Sequence, residues 1–216
     1  MIEAVETSPG QWARARCAAA FAAGICFALA LAGFGSALTG YAQLHYPVAL
    51  LGAAGVPRAT AFNLLGFVLP GLLAAFVALH RRRGLPPSAP LAARLGWTMA
   101  LLAALAFAAQ GLLPLDASAP DAGRGRLHGV AWGLWGIAFA AAATALSMAA
   151  LRLQRRLAAF GHLAAGVFVF SLAWLAADLV PAALAQRAAF ACWFAWIACV
   201  GLAGSGGAWR RHRPLR

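Results

Sequence analysis

Apolar runs of about 20 residues recur along the whole chain, and this spacing constrains the fold more than any other feature of the sequence. A run of that length is what a helix needs to cross the hydrocarbon core of a bilayer. Arginine clusters and prolines separate the runs, so the sequence predicts six transmembrane α-helices. The predicted spans are about 17–38, 59–79, 95–113, 129–151, 157–180 and 188–208.

Little of the chain lies outside these runs, which leaves no room for a separate soluble domain. The composition agrees, with 63% hydrophobic residues, 10% charged residues and a mean hydropathy of +0.79. The first run is longer than the 7 to 15 apolar residues of a secretory signal, so we interpret it as a retained span. The predicted fold class is all-α: one polytopic domain over 1–216, with the lipid bilayer as its surroundings.

The net charge of +12 comes from arginines clustered between the apolar runs, which indicates membrane topology and not a nucleic-acid partner. With the N-terminus inside, four arginines and three of the five acids lie outside. The outer residues are Arg58, Arg124, Arg126, Arg187, Asp116, Asp121 and Asp178. The other thirteen arginines lie inside. By the positive-inside rule both termini are cytoplasmic, in a multi-pass protein of the cell inner membrane.

The four cysteines fall in or beside the predicted spans and follow neither CxxC nor zinc-ligand spacing. We interpret Cys17, Cys26, Cys192 and Cys199 as free thiols. The sequence predicts no metal site and no cofactor.

Two features inside the spans predict local helix geometry. Pro70 has no N–H to offer the carbonyl of Gly66, so a kink is expected in the second span. Gly129 and Gly133 form a GxxxG pattern in the fourth span, which favours close packing against a neighbouring helix of the same chain.

Four polar side chains fall near the predicted outer ends of different helices. These candidate ligand-binding residues are Asn63, Asp116, His128 and Asp178. Ionisable groups at membrane depth often mark function, and a histidine beside a carboxylate is a common general base. His128 with Asp116 or Asp178 is therefore the candidate catalytic set. The alternative interpretation is that the four are helix caps and solvated loop ends.

Two segments of the chain resemble a known family. They are 45–52 (HYPVALLG), followed by Pro57 and Asn63, and 113–116 (LPLD), followed by 127–129 (LHG). Both resemble the prokaryotic six-helix membrane family called domain of unknown function 998, and more distantly the Frag1/DRAM/Sfk1 proteins. The resemblance implies a six-helix fold over nearly the whole chain and directs attention to Asn63, Asp116 and His128. It implies no reaction, and Leu50 stands where family members often carry an acid.

The outer polar residues lack a complete catalytic set, which favours a non-catalytic protein that binds a specific lipid or another membrane protein. The alternative is a membrane enzyme that acts on a lipid-linked substrate through His128. A transporter or a haem electron-transfer protein is a third hypothesis. Histidines near both faces (His45, His128, His80 and His162) could ligate haem. The transporter hypothesis is weakened because no predicted span has an acid or base at its middle, where coupling sites usually lie.

Overall fold

The computed structural model describes residues 9–119, 121–175 and 179–203, which form six long helices and no strand within those ranges. All six are long and apolar enough to cross a membrane, so the prediction of an all-α fold with six candidate spans is confirmed. The helices are α1 Pro9–Ala37, α2 Ala59–Arg83, α3 Leu91–Leu112, α4 Gly123–Arg152, α5 Arg156–Leu175 and α6 Ala182–Leu202.

Several helices begin earlier than the predicted spans because polar residues continue the helix past its apolar part. The sixth span was expected from about residue 188, whereas α6 begins at Ala182, directly after Pro181. Its first two turns contain Gln186 and Arg187, which lower the local hydropathy. Hydropathy therefore marks the lipid-facing part of a helix and not its first hydrogen-bonded residue.

The helices pack in chain order around a closed ring. Each helix contacts the next along the chain, and α1 also packs against α6. The pairing of α1 with α6 joins the first and last of the described helices, so it closes the ring.

Aromatic rings fill the centre of the bundle. Phe107 of α3 lies 5.1 Å from Phe190 and 4.8 Å from Trp193 of α6, measured between ring centroids. Trp135 of α4 and Phe27 of α1 lie 5.0 and 5.3 Å from Phe190. Edge-to-face and tilted contacts at these distances are favourable for aromatic pairs. Trp132 and Phe139 of α4 also contact rings of α6, those of Phe190 and Trp196.

Large apolar side chains cover the outside of the bundle. Leu157 is 90% exposed and Phe160 is 73% exposed, both on α5, and Ile25 and Ile137 are more than half exposed. In water such a surface would cause association, whereas hydrocarbon solvates it. The structure is therefore that of a multi-pass membrane protein.

Pro70 is accommodated by a π-helical turn, Asn63–Val68, one turn before it. In that turn the N–H of Leu69 donates to the carbonyl of Leu64, five residues back. A π turn is a common response to a helix-breaking residue in a membrane span. The structure therefore shows an altered hydrogen-bond register next to Pro70, and the kink expected from the sequence stays a prediction.

Gly71 and Gly111 let α2 and α3 approach closely, whereas the sequence had predicted close packing at Gly129 and Gly133 of α4. A Cβ added at Gly71 would lie 2.8 Å from Cα of Ala108, and one at Gly111 would lie 2.6 Å from the carbonyl oxygen of Asn63. No described residue comes within 4 Å of a Cβ at Gly129 or Gly133. The expected packing of a helix on that GxxxG is therefore wrong for the described part of the chain, because the space beside both glycines is open.

Candidate functional site

The segment that joins α1 to α2 folds into a cap over one end of the bundle. Its 3₁₀ helix, Val48–Gly52, is largely buried, and Val48 and Ala53 are fully enclosed. The N–H of Ala54 donates to the carbonyl of Leu115, 2.9 Å away, which ties this segment to the one between α3 and α4. We call segment 38–58 the first connection, and the end it covers the connection end.

Arg187, in the second turn of α6, fastens the first connection to the bundle. Its Nε and Nη2 donate to Oε1 of Gln43 at 3.1 and 2.8 Å, and Nη2 also donates to the hydroxyl of Tyr41 at 2.6 Å. Nη1 donates to the carbonyls of Tyr46 and Ala183. A guanidinium has five N–H donors, and all five are used here. Arg187 is therefore a structural clamp.

Two further contacts support this clamp. The N–H of Val48 donates to Oε1 of Gln186, 2.8 Å away, and Nε2 of Gln43 donates to the carbonyl of Leu31. Burial raises the pKa of the Tyr41 phenol, although the neighbouring Arg187 cation acts in the opposite direction. Tyr41 consequently stays neutral and keeps its place in the clamp through the physiological pH range.

Two of the predicted site residues are buried and bonded to backbone carbonyls. Nδ2 of Asn63 donates to the carbonyl of Gly52 at 2.9 Å. Nδ1 of His128 lies 2.9 Å from the carbonyl oxygen of Leu113 and 3.2 Å from that of Gln110. Carbonyls only accept, so the proton of a neutral His128 is on Nδ1. Its Nε2 makes no hydrogen bond within the described ranges and is the nitrogen left for chemistry.

Asp116, the predicted carboxylate partner that the structure describes, bonds to Ser118 and not to His128. Oδ1 of Asp116 accepts from the hydroxyl and the N–H of Ser118, at 2.6 and 3.0 Å. These hydrogen bonds hold the pKa of Asp116 below its ordinary value. Asp178 lies outside the described residues. The structure thus gives Asp116 a turn-forming role, and pairing of His128 with Asp178 stays a prediction.

Gln110 is a buried polar residue that the sequence reading missed. It is fully enclosed, one turn from Phe107, and neither atom of its amide group bonds to any residue that the structure describes. An amide side chain inside a largely apolar span, three residues before the predicted end of that span, could have signalled it. An unpaired buried amide costs about 1–3 kcal/mol.

A groove of about 510 Å³ lies between α1 and α2 and opens to the lipid-facing surface. Its walls are apolar except at one end, where Arg58 lies. The lining residues are Cys26, Leu29, Ala30, Gly33, Phe34, Ala37, Arg58 and Leu65. We call it the α1–α2 groove.

A second cavity, of about 290 Å³, lies at the connection end and combines small apolar residues with four polar side chains. The polar side chains are those of Arg58, Thr60, Asn63 and Arg124, and the other walls are residues 52–56, Ala59 and Pro114. No carboxylate is among them. We call it the connection pocket, and Arg58 is common to both it and the α1–α2 groove.

Arg58 and Arg124 differ from Arg187 in having no partner. Both side chains are exposed, and neither makes a hydrogen bond or ion pair with a described residue. Arg58 also has φ of +63°, the left-handed conformation, directly before α2. A non-glycine residue in that conformation is uncommon and clusters at functional sites.

At the opposite end, two arginines bind the last carbonyls of α6. Nε of Arg16 donates to Gly201 and Nη2 to Ala203, each at 3.0 Å, and Nη1 of Arg81 also donates to Ala203 at 3.0 Å. Arg81 further lies 5.3 Å above the ring of Trp97. Cations at a helix C-terminus satisfy its free carbonyls and its dipole.

The histidines proposed as haem ligands occupy separate environments. Nδ1 of His162 accepts from Nε1 of Trp196, 3.0 Å away, and His80 packs between the rings of Trp12 and Phe76. His45 is exposed in the first connection. Within residues 9–119, 121–175 and 179–203, no group of three or more His, Cys, Asp or Glu side chains could hold a metal ion.

The chain matches no family model, no curated protein and no solved structure. The resemblance to domain of unknown function 998 therefore stays a prediction.

Proposed function

We propose that this chain is a non-catalytic protein of the cell inner membrane that binds a lipid in the α1–α2 groove. The observation that carries the proposal is the position of Arg58 at one end of an apolar groove that opens to the bilayer. A lipid has the same arrangement, an apolar chain that ends in a polar head group. The alternative is an enzyme in which Nε2 of His128 acts as a base, but no described carboxylate bonds to the His128 ring.

The groove can select the shape of a lipid tail, but it supplies little binding energy. A tail that leaves bulk lipid for an apolar groove gains no hydrophobic transfer energy, because both surroundings are hydrocarbon. Affinity must come from close packing and from polar contacts at the head group. The floor of small residues, Ala30, Gly33 and Ala37, gives room for the tail, and Arg58 offers unpaired donors.

The aromatic centre of the bundle argues against transport through the ring. Phe107, Trp135, Phe190 and Trp193 are each at most 1% exposed. No ionisable side chain lies among these rings in the described structure, whereas transporter sites near the membrane middle are polar.

Native mass spectrometry of the detergent-purified protein tests the proposal. We expect wild type to retain lipid, and Gly33→Leu to retain several-fold less, because the new side chain fills the groove without meeting any described atom within 4 Å of its Cβ. Ala32→Leu is the matched control, since Ala32 is exposed on α1 but does not line the groove.

Two results would contradict lipid binding in the groove. One is a wild-type protein that retains no lipid under conditions in which it stays folded. The other is equal lipid retention by the Gly33→Leu and Ala32→Leu variants.

A further inference from the structure

Two arginines that bond to no described side chain or carbonyl line the same small cavity, the connection pocket. Arg58 stands directly before α2, and Arg124 lies in the first turn of α4. Side chains from helices that are not neighbours in the chain thus bring two positive charges to a space of about 290 Å³.

The rest of the pocket is also suited to an anion. The first N–H groups of a helix have no partner within it, and Arg58, the residue before α2, makes no side-chain cap bond. Thr60 adds a hydroxyl to the lining, and the first turns of α2 and α4 contribute positive helix dipoles. No described carboxylate lines the pocket, so none of the described lining residues would neutralise the two guanidinium groups.

We infer that the connection pocket binds the phosphate of an anionic phospholipid between Arg58 and Arg124. The inference rests on the proposed function, because Arg58 is common to the groove that would hold the tail and the pocket that would hold the head group. Guanidinium groups bind phosphate through paired hydrogen bonds, which a point charge cannot do. A zwitterionic head group also carries a cation, and the pocket offers that cation no partner.

The other arginines of the connection end provide the comparison. Arg187 has all five donors engaged by protein acceptors and has none left for a ligand. Arg126 is exposed on α4, two residues from Arg124, but lines none of the cavities described above. Arg126 therefore controls for the removal of one charge from the same helix end.

The experiment measures lipid preference by native mass spectrometry of the full chain, purified in detergent with equal amounts of phosphatidylglycerol and phosphatidylcholine. The double variant Arg58→Asn with Arg124→Gln is compared with wild type and Arg126→Gln. Asparagine is chosen at position 58 because it tolerates the left-handed conformation. We expect wild type to retain more phosphatidylglycerol than phosphatidylcholine. In the double variant the ratio of retained phosphatidylglycerol to phosphatidylcholine should fall about tenfold.

The outcomes separate the inference from the proposed function. Wild type that retains both lipids equally would overturn the inference but leave lipid binding in the groove intact, whereas a wild type without lipid would remove both. An unchanged preference in the double variant, or an equal loss in Arg126→Gln, would also overturn the inference.

A parallel sample contains millimolar inorganic phosphate. We expect phosphate alone to leave the retained phosphatidylglycerol unchanged. Full displacement would show that the pocket takes free phosphate and not a lipid, and would overturn the inference.

Discussion

Arg187 shows how one residue can place a whole connection. It contacts three residues of segment 38–58 and one carbonyl of its own helix, and each of its donors has an acceptor. Burial of Val48 and Leu51 holds the first connection against the bundle, but it does not fix the position of Gln43, Tyr41 and the Tyr46 carbonyl, whereas directional hydrogen bonds do. The connection end therefore depends on hydrogen-bond geometry and not on charge alone.

Replacing Arg187 by lysine should destabilise the protein although the charge is kept. A lysine ammonium has three donors on one atom and cannot reach acceptors spread around a planar fork. We expect the free energy of unfolding in detergent to fall by about 2 kcal/mol, the usual cost of losing hydrogen bonds to a charged group. Tryptophan fluorescence during thermal unfolding would measure it.

Arg126→Lys is the control, because Arg126 is exposed and bonds to no described residue. Equal stability of the two lysine variants would show that the clamp contributes nothing beyond its charge.

A substitution at Gln110 should increase the stability of the protein. Methionine has a similar length and shape but no strong donor or acceptor, so Gln110→Met removes an unpaired amide from an apolar interior. We expect a gain of about 1–3 kcal/mol in the free energy of unfolding. A loss of stability would instead mean that the amide is bonded in the folded protein, which would make Gln110 part of a ligand or water site.

At the scale of the helices, α2 and α3 approach closely because their contact residues are small. A methyl group at Gly111 would meet the backbone of Asn63 and Cβ of Phe67, 2.9 Å away. Neither atom can withdraw without moving the π turn of α2. The same π turn places Asn63 beside Gly52 and the connection pocket, so helix packing and pocket geometry are coupled.

Gly111→Ala should therefore destabilise the protein by about 1–3 kcal/mol through overpacking. Gly129→Ala is the matched substitution on an exposed helix face, and there alanine should add up to about 1 kcal/mol through its better helix propensity. Thermal unfolding of both variants in one detergent would test the difference. Similar midpoints would contradict the close approach of α2 and α3.

The sequence predicts the number of helices well, because length and hydropathy decide it. It predicts the connection end poorly, because that end depends on pairs far apart in the chain, such as Arg187 with Gln43. Asn63 and His128 were predicted as candidate site residues near the outer ends of helices, but their burial and their backbone-carbonyl partners are not revealed by a residue pattern. Arg58 entered the sequence analysis through the charge distribution, since its lack of a partner among the described residues can be seen only in three dimensions.

At the scale of the whole molecule, the ring of helices presents apolar side chains outward and closes on an aromatic centre. The polar sites lie at the two ends, where they would meet the two faces of a membrane. Which end faces the cytoplasm stays a prediction from the arginine distribution, with the connection end outside.

Two serines on opposite ends provide a test of that orientation. Ser118 and Ser88 are both exposed, the first between α3 and α4 and the second between α2 and α3. In intact cells, Ser118→Cys should react with a membrane-impermeant thiol reagent, whereas Ser88→Cys should react only after the membrane is opened. The native cysteines are measured in the unsubstituted protein as background. The reverse pattern of labelling would invert the topology.

The arginine contacts at the two ends of α6 have a consequence for how the protein is made. Arg187 reaches back to the first connection, and Arg16 of α1 binds the carbonyls of Gly201 and Ala203. Translation delivers α6 after the other five helices, so until then these carbonyls are absent and Arg16 has no helix end to cap. A nascent chain of five helices therefore lacks both the helix that completes the ring and the residue that holds the first connection. Insertion of α6 supplies both.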